Sequence, residues 1–106
     1  MGILHYGPTL EVVFDDRVLA HLQLIIGAKL RRKEGFFFSW RDERPDNEGR
    51  STIWLEASIP LLFRYDAERM PVINREWLDV LSRSSNSAQG LLLTDEIVEL
   101  EATSAQ

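Results

Sequence analysis

Alternating hydrophobic and polar positions predict two short strands at the start of the chain. Residues 3–6 and 9–14 flank Gly7 and Pro8, a pair that favours a turn. Apolar residues at every second position of the second segment would share one face, although Val13 interrupts the pattern; they are Leu10, Val12 and Phe14. We therefore expect two strands joined by a turn, with one apolar face.

A helical pattern of apolar residues follows, starting at Asp15 or Asp16, either of which can cap a helix. Its apolar positions recur along one side of a helix: Val18, Leu19, Leu22, Ile25, Ile26 and Leu30. Gly27 lowers helix stability relative to alanine, and close packing against a neighbour would explain it. Gly35 suits the position that follows the helix C-terminus.

The segment GFFFSWRDE, residues 35–43, concentrates aromatic residues in a predicted strand, residues 36–41. A polar link, DERPDNEG, joins it to a second predicted strand, residues 51–56. Alternation places Phe36, Phe38 and Trp40 on one face and Phe37, Ser39 and Arg41 on the other. If Ile53 and Leu55 align with the first set, Trp54 faces the same side as Phe37.

The rest of the chain adds a strand at residues 61–65, a helix beginning after Asn74 and a strand at residues 91–94. The helix would bury Trp77, Leu78 and Leu81. The order β-β-α-β-β-β-α-β predicts an α+β fold, with a mainly antiparallel sheet and two helices. We expect one domain over residues 1–95 and a flexible acidic tail over residues 96–106.

The face that carries Phe37 and Trp54 allows two interpretations. The second helix, the tail or the long link could cover these two residues within the chain. Alternatively they form a partner surface, for another protein or for a second copy in a homodimer, because large exposed aromatic patches are uncommon on monomers.

Composition excludes several classes of protein. The 106 residues contain no cysteine, which excludes disulfides, thiolate zinc sites and a cysteine nucleophile. No apolar stretch is long enough to span a membrane and no secretory signal is evident, so we expect a soluble, cytoplasmic protein without membrane contact.

No catalytic or cofactor motif is present in the sequence. The two histidines, His5 and His21, lack metal-ligand spacing, and neither GxSxG nor a glycine-rich nucleotide loop occurs. We therefore expect no metal site, no cofactor and no catalytic residues.

Charge is unevenly distributed along the chain. The net charge of −5 argues against a nucleic-acid binder. However, residues 16–50 hold eight basic and six acidic residues, whereas the remainder holds four and eleven. The run KLRRK either complements the negative end of the helix dipole or, with Trp40 for base stacking, forms part of an anion or nucleic-acid contact. The candidate residues for this contact are Lys29, Arg31, Arg32, Lys33, Arg41, Arg44 and Arg50.

Several stretches resemble a family of actinobacterial proteins of about one hundred residues, across roughly residues 2–95. The most distinctive are HLQLIIGAKLRRKE, FSW, STIWL, IPLLFRY and NREWLDVL. Members often carry the name "ATP-dependent DNA ligase", although the domain counts as one of unknown function. The resemblance implies at most an association with nucleic acid.

The sequence lacks what ligase catalysis would require. An ATP-dependent ligase is adenylated on the lysine of a Lys-x-Asp-Gly motif, and neither Lys29 nor Lys33 lies in one. We therefore expect a non-catalytic interaction module. The alternative is a nucleic-acid-binding, repair or ligation accessory protein without ligase activity of its own.

Overall fold

The computed structural model describes residues 1–41 and 49–96, which form six strands and two helices. The predicted α+β class and the order of elements are confirmed. The elements are β1 Gly2–Tyr6, β2 Leu10–Phe14, α1 Asp16–Arg31, β3 Phe36–Arg41, β4 Arg50–Leu55, β5 Leu61–Arg64, α2 Arg75–Ser85 and β6 Leu91–Leu92. Neither helix in the described ranges is long and apolar enough to cross a membrane.

The chain divides into two compact units, each with one three-stranded sheet. The first unit comprises Met1–Phe36 and Trp54–Ile73, and the second comprises Phe37–Ile53 and Asn74–Gln106. The strand orders are β2-β1-β5 and β4-β3-β6. The first sheet is antiparallel, whereas β6 runs parallel to β3.

The first unit buries one face of its sheet, and α1 packs on β1. Leu4 pairs with Val12 on one side and Phe63 on the other, so these residues share the inner face. The predicted stripe of α1 supplies core residues, including Leu19, Leu22 and Ile26. A side chain at Gly2 would come within 2.7 Å of Leu19 Cδ2, so this glycine permits the close approach of helix and strand.

Two local expectations for α1 are wrong, and the expected cap is confirmed in position only. Asp15 occupies the N-cap position, but its side chain makes no capping hydrogen bond. A methyl group at Gly27 would meet nothing within 4 Å, so close packing does not explain this glycine. The left-handed residue after the helix is Lys33, with φ of 58°, and not Gly35.

The second unit has its own apolar core, which includes α2. Trp77 and Leu81 are buried as the helical spacing predicts, together with Phe38, Trp40 and Leu91. The rings of Phe38 and Trp40 lie 5.1 Å apart. Asn74 caps α2 as expected, accepting a hydrogen bond from Trp77 N at 3.2 Å. The Trp77 indole N–H donates to Thr94 Oγ1 at 3.2 Å, which satisfies its buried polar atom.

Candidate functional site

The predicted basic run lies at the C-terminal end of α1, in the first unit. Lys29 is buried, and its ammonium lies 3.2 Å from the carboxylate of Glu34. Arg31, Arg32 and Lys33 are exposed. Glu34 also lies 3.7 Å from Arg32 Nε, so one carboxylate is shared between two cations. The exposed end of the helix therefore carries three positive side chains and one carboxylate that is already paired.

The backbone after α1 reverses through Lys33. Glu34 N donates to Lys29 O at 3.1 Å and Lys33 N donates to Leu30 O at 2.9 Å, the two hydrogen bonds of a Schellman motif. This motif needs a left-handed residue at the position of Lys33, where glycine is the usual choice because it has no Cβ. Lys33 therefore occupies a position where the Cβ of any side chain makes the backbone conformation less favourable.

Trp54 of β4 lies against the same segment. Its side chain is 48 % exposed, and its ring passes Gly35 so closely that a Cβ there would be 2.5 Å from Trp54 Cζ2. The Tyr6 hydroxyl donates to Trp54 O at 2.9 Å and accepts from Glu56 N at 3.1 Å. Gly35 thus makes room for an indole ring two residues after Lys33, and Tyr6 holds the strand that carries the ring.

The other predicted basic residues lie in the second unit or outside the described residues. Arg41 and Arg50 are exposed on β3 and β4, and Arg44 lies outside the described residues. Ser39 Oγ lies 2.8 Å from Thr52 Oγ1, so these two residues face each other on one side of the sheet. The two strands are neighbours in the sheet, and the eight-residue link between them is too short for a parallel crossover, so they are antiparallel.

The aromatic residue suggested for base stacking in the sequence, Trp40, is unsuited to that role. It is buried in the core of the second unit, with 8 % of its surface exposed. The contact between Trp54 and Gly35 joins residues nineteen positions apart, and no local pattern in the sequence signals it.

The proposed partner surface, Phe37 and Trp54, divides between the two units. Phe37 belongs to the second unit and is 45 % exposed. Its backbone lies against Gly90, where a Cβ would clash with the carbonyl of Phe37. Both aromatic side chains are half exposed, and whether they form one surface stays a prediction.

An exposed apolar face in the first unit was missed at the level of sequence. Val13 and Leu62 are 57 % and 48 % exposed. Ile3 pairs with Val13 and His5 pairs with Leu62, so all four side chains lie on the outer face of the sheet. The signal was present in Val13, which breaks the alternation of β2 because it places an apolar side chain on the polar face.

Each histidine has one ring nitrogen near an oxygen atom of another residue in the chain. His21 is fully buried, with Nδ1 2.7 Å from the carbonyl oxygen of Arg17 one turn earlier. His5 Nδ1 lies 3.9 Å from Glu11 across the strand pair. Within residues 1–41 and 49–96, no group of three or more histidine, aspartate or glutamate side chains is arranged to hold a metal ion.

Comparison with known proteins gives one match, to a family. Searches of curated proteins and of solved structures returned no match. Residues 1–96, which include both units as far as they are described, match a family model. The chain therefore belongs to the family defined by the domain of unknown function DUF7882.

Proposed function

We propose that this protein is a non-catalytic, cytosolic binding module. The observation that carries the proposal is the exposure of large apolar side chains on sheet faces: Val13 and Leu62 in the first unit and Phe37 in the second. Large exposed apolar patches mark protein interaction sites in many proteins. A second copy of the chain is the simplest protein partner, since most homo-oligomers are two-fold dimers.

Light scattering over a range of protein concentrations tests self-association. We expect the average mass to rise with concentration, and Phe37→Ser or the pair Val13→Thr and Leu62→Thr to shift it towards the monomer. Met70→Ser is the matched control, because Met70 is also 57 % exposed but lies outside the strands. A wild type that stays monomeric at high concentration would remove a second copy as the partner.

Ligase catalysis is not part of the proposal. The family resemblance to actinobacterial proteins that carry a ligase name suggests association with nucleic acid, but Lys29 and Lys33 lack the adenylation motif. After incubation with ATP and magnesium, intact-mass spectrometry should show unmodified protein. A stable AMP adduct on either lysine would contradict this.

A second candidate function is nucleic-acid binding, favoured by the exposed cations Arg31, Arg32 and Lys33. Phosphate contacts release counterions, so their affinity falls steeply as salt rises. Salt-dependent binding that is lost in an Arg31→Gln and Arg32→Gln double variant would favour this candidate. Binding that is insensitive to salt would count against it.

A further inference from the structure

The end of α1 carries positive charge and Trp54 carries an aromatic ring, two features that are distant from each other in the sequence. Arg31, Arg32 and Lys33 supply exposed positive charge, and the half-exposed indole of Trp54 lies against Gly35 directly beyond them. All of these residues belong to the first unit. A cationic surface next to an exposed aromatic ring is the combination that binds single-stranded nucleic acid without sequence preference.

The positions of these groups are fixed by the fold. The indole is placed by Gly35, which alone leaves room for it, and by the two hydrogen bonds of the Tyr6 hydroxyl to the backbone of Trp54 and Glu56. The ion pair of the buried Lys29 with the half-exposed Glu34 links the end of the helix to the turn that presents the cations. A rigid aromatic side chain stacks on a base with less loss of conformational entropy than a mobile one.

Lys33 gives an independent reason to assign a role to this turn. It adopts φ of 58°, where glycine would be free of strain. A non-glycine residue in this region persists against a steric cost, and such residues cluster at functional sites. The cost is explained if the ammonium group of Lys33 is needed for binding.

We propose that Arg31, Arg32, Lys33 and Trp54 form a binding site for single-stranded nucleic acid, a proposal that rests on the nucleic-acid candidate above. The cations contact phosphates and the indole stacks on an unpaired base. A duplex keeps its bases stacked inside and offers no such face, so single strands are preferred. The negative net charge of the whole chain makes us expect modest affinity, about 1–100 μM at physiological salt.

Fluorescence anisotropy with labelled oligonucleotides of about twelve residues tests the site, using single-stranded DNA, single-stranded RNA and duplex DNA. We expect either single strand to bind more tightly than the duplex. Trp54→Leu, which keeps apolar bulk but removes the indole, should weaken binding about fivefold or more. Arg31→Gln with Arg32→Gln should reduce the slope of log affinity against log salt by about 1.4 for the single strands.

The matched control for charge is Arg75→Gln with Arg83→Gln, two exposed arginines that are not candidates for the contact. This pair removes the same two charges from exposed positions in the second unit and should leave affinity within about twofold if the contacts are local. Equal losses in both double variants would mean a general electrostatic attraction and would overturn the site. Binding of the duplex as tightly as the single strand would also overturn it.

Lys33→Gly separates a binding role from a structural one. Glycine relieves the left-handed strain, so the variant should melt at a higher temperature than the wild type while binding the oligonucleotide more weakly. Unchanged binding in a stabilised Lys33→Gly protein would remove Lys33 from the site. Thermal melts of every variant, followed by circular dichroism, ensure that lost binding reflects the surface and not the fold.

Failure of this inference is distinguishable from failure of the binding-module proposal. A wild type that binds no oligonucleotide at low salt, yet self-associates through Phe37 or Val13 and Leu62, overturns the nucleic-acid site and leaves the protein-binding function standing. An acidic peptide that binds through Arg31 and Arg32 with no effect of Trp54→Leu would assign the surface to a protein partner instead and overturn the site.

Discussion

Asp16 lies in the first turn of α1, where its carboxylate accepts hydrogen bonds from two backbone N–H groups of the loop after β5. Ala67 N donates at 2.8 Å and Asp66 N at 3.2 Å. The bond from Ala67, followed by the one from Asp66, lowers the pKa of Asp16. Through these two hydrogen bonds the carboxylate links the helix to the loop. It does not cap the helix, although its position suggests that role.

The two hydrogen bonds to the Asp16 carboxylate should weaken in acid. Because the pKa of Asp16 is lower in the folded chain than in the unfolded one, its contribution is complete above the unfolded value of about 3.9 and is lost as the pH falls through the folded value. An Asp16→Asn variant can accept with only one side-chain atom, so it should melt at a lower temperature near neutral pH. We expect the difference from the wild type to shrink below about pH 4.

Asp15→Asn is the matched control, because it removes the same charge one residue earlier, where the side chain makes no capping bond. Its melting temperature should follow that of the wild type across the pH range. A difference between Asp16→Asn and the wild type that is constant with pH would contradict the role of the charged carboxylate.

Gly27 offers a simple stabilising substitution. It lies in the interior of α1 with open space around the position of a Cβ, and glycine costs a helix about 0.8–1 kcal/mol relative to alanine. Gly27→Ala should therefore raise the free energy of unfolding by about that amount, as measured by urea denaturation. Gly35→Ala provides the contrast: its Cβ would meet the ring of Trp54, so that variant should be destabilised.

At the scale of elements, the turn that ends α1 holds Lys33 in a strained backbone conformation, and a single substitution can relieve this strain. A left-handed conformation costs a non-glycine residue about 1–2 kcal/mol, and glycine in the unfolded chain costs about 0.5–1 kcal/mol in entropy. Lys33→Gly should therefore stabilise the protein by about 0.5–1 kcal/mol in urea denaturation. Arg32→Gly, at the neighbouring residue with φ of −89°, should not stabilise it, since nothing there is strained.

Helix α2 depends on one large side chain. Trp77 is 1 % exposed and its indole N–H is bonded to Thr94, so Trp77→Ala leaves a cavity and removes this hydrogen bond. We expect a loss of about 3–5 kcal/mol in the free energy of unfolding. Glu76→Ala, at the exposed neighbouring position, should change it little. An unchanged melting curve for Trp77→Ala would mean that α2 contributes little to the second unit.

Local patterns in the sequence were sufficient to predict the helices and strands but not the contacts between them. The alternation of Phe36, Phe38 and Trp40 and the spacing of Trp77 and Leu81 reflect burial on one face, which recurs within a few residues. The αL position of Lys33 and the contact of Trp54 with Gly35 depend on turns and on residues distant in sequence. The sequence therefore named the cations and Trp54 as candidates, but it did not show that Trp40 is buried or that Trp54 lies against Gly35.

For the whole molecule, the two units are each assembled from separate stretches of chain. The boundaries fall after Phe36, Ile53 and Ile73, so the chain passes from one unit to the other three times. Strands β3 and β4 both continue across a boundary, since Phe36, Trp54 and Leu55 belong to the first unit. Neither unit is a continuous segment of the chain.

We therefore predict that the chain unfolds as one domain, in a single cooperative transition. The chain has three tryptophans, of which Trp54 lies in the first unit and Trp40 and Trp77 in the second. Their indole N–H signals, followed by two-dimensional NMR through a urea titration, report on both units without any substitution. All three midpoints should coincide, because unfolding one unit releases strand ends that the other needs. Coincident midpoints from different probes are the test of two-state behaviour.

Trp40 and Trp77 are controls for each other within one unit. If these two agree while Trp54 changes at a different urea concentration, the units unfold independently and the prediction of one domain over residues 1–95 is wrong.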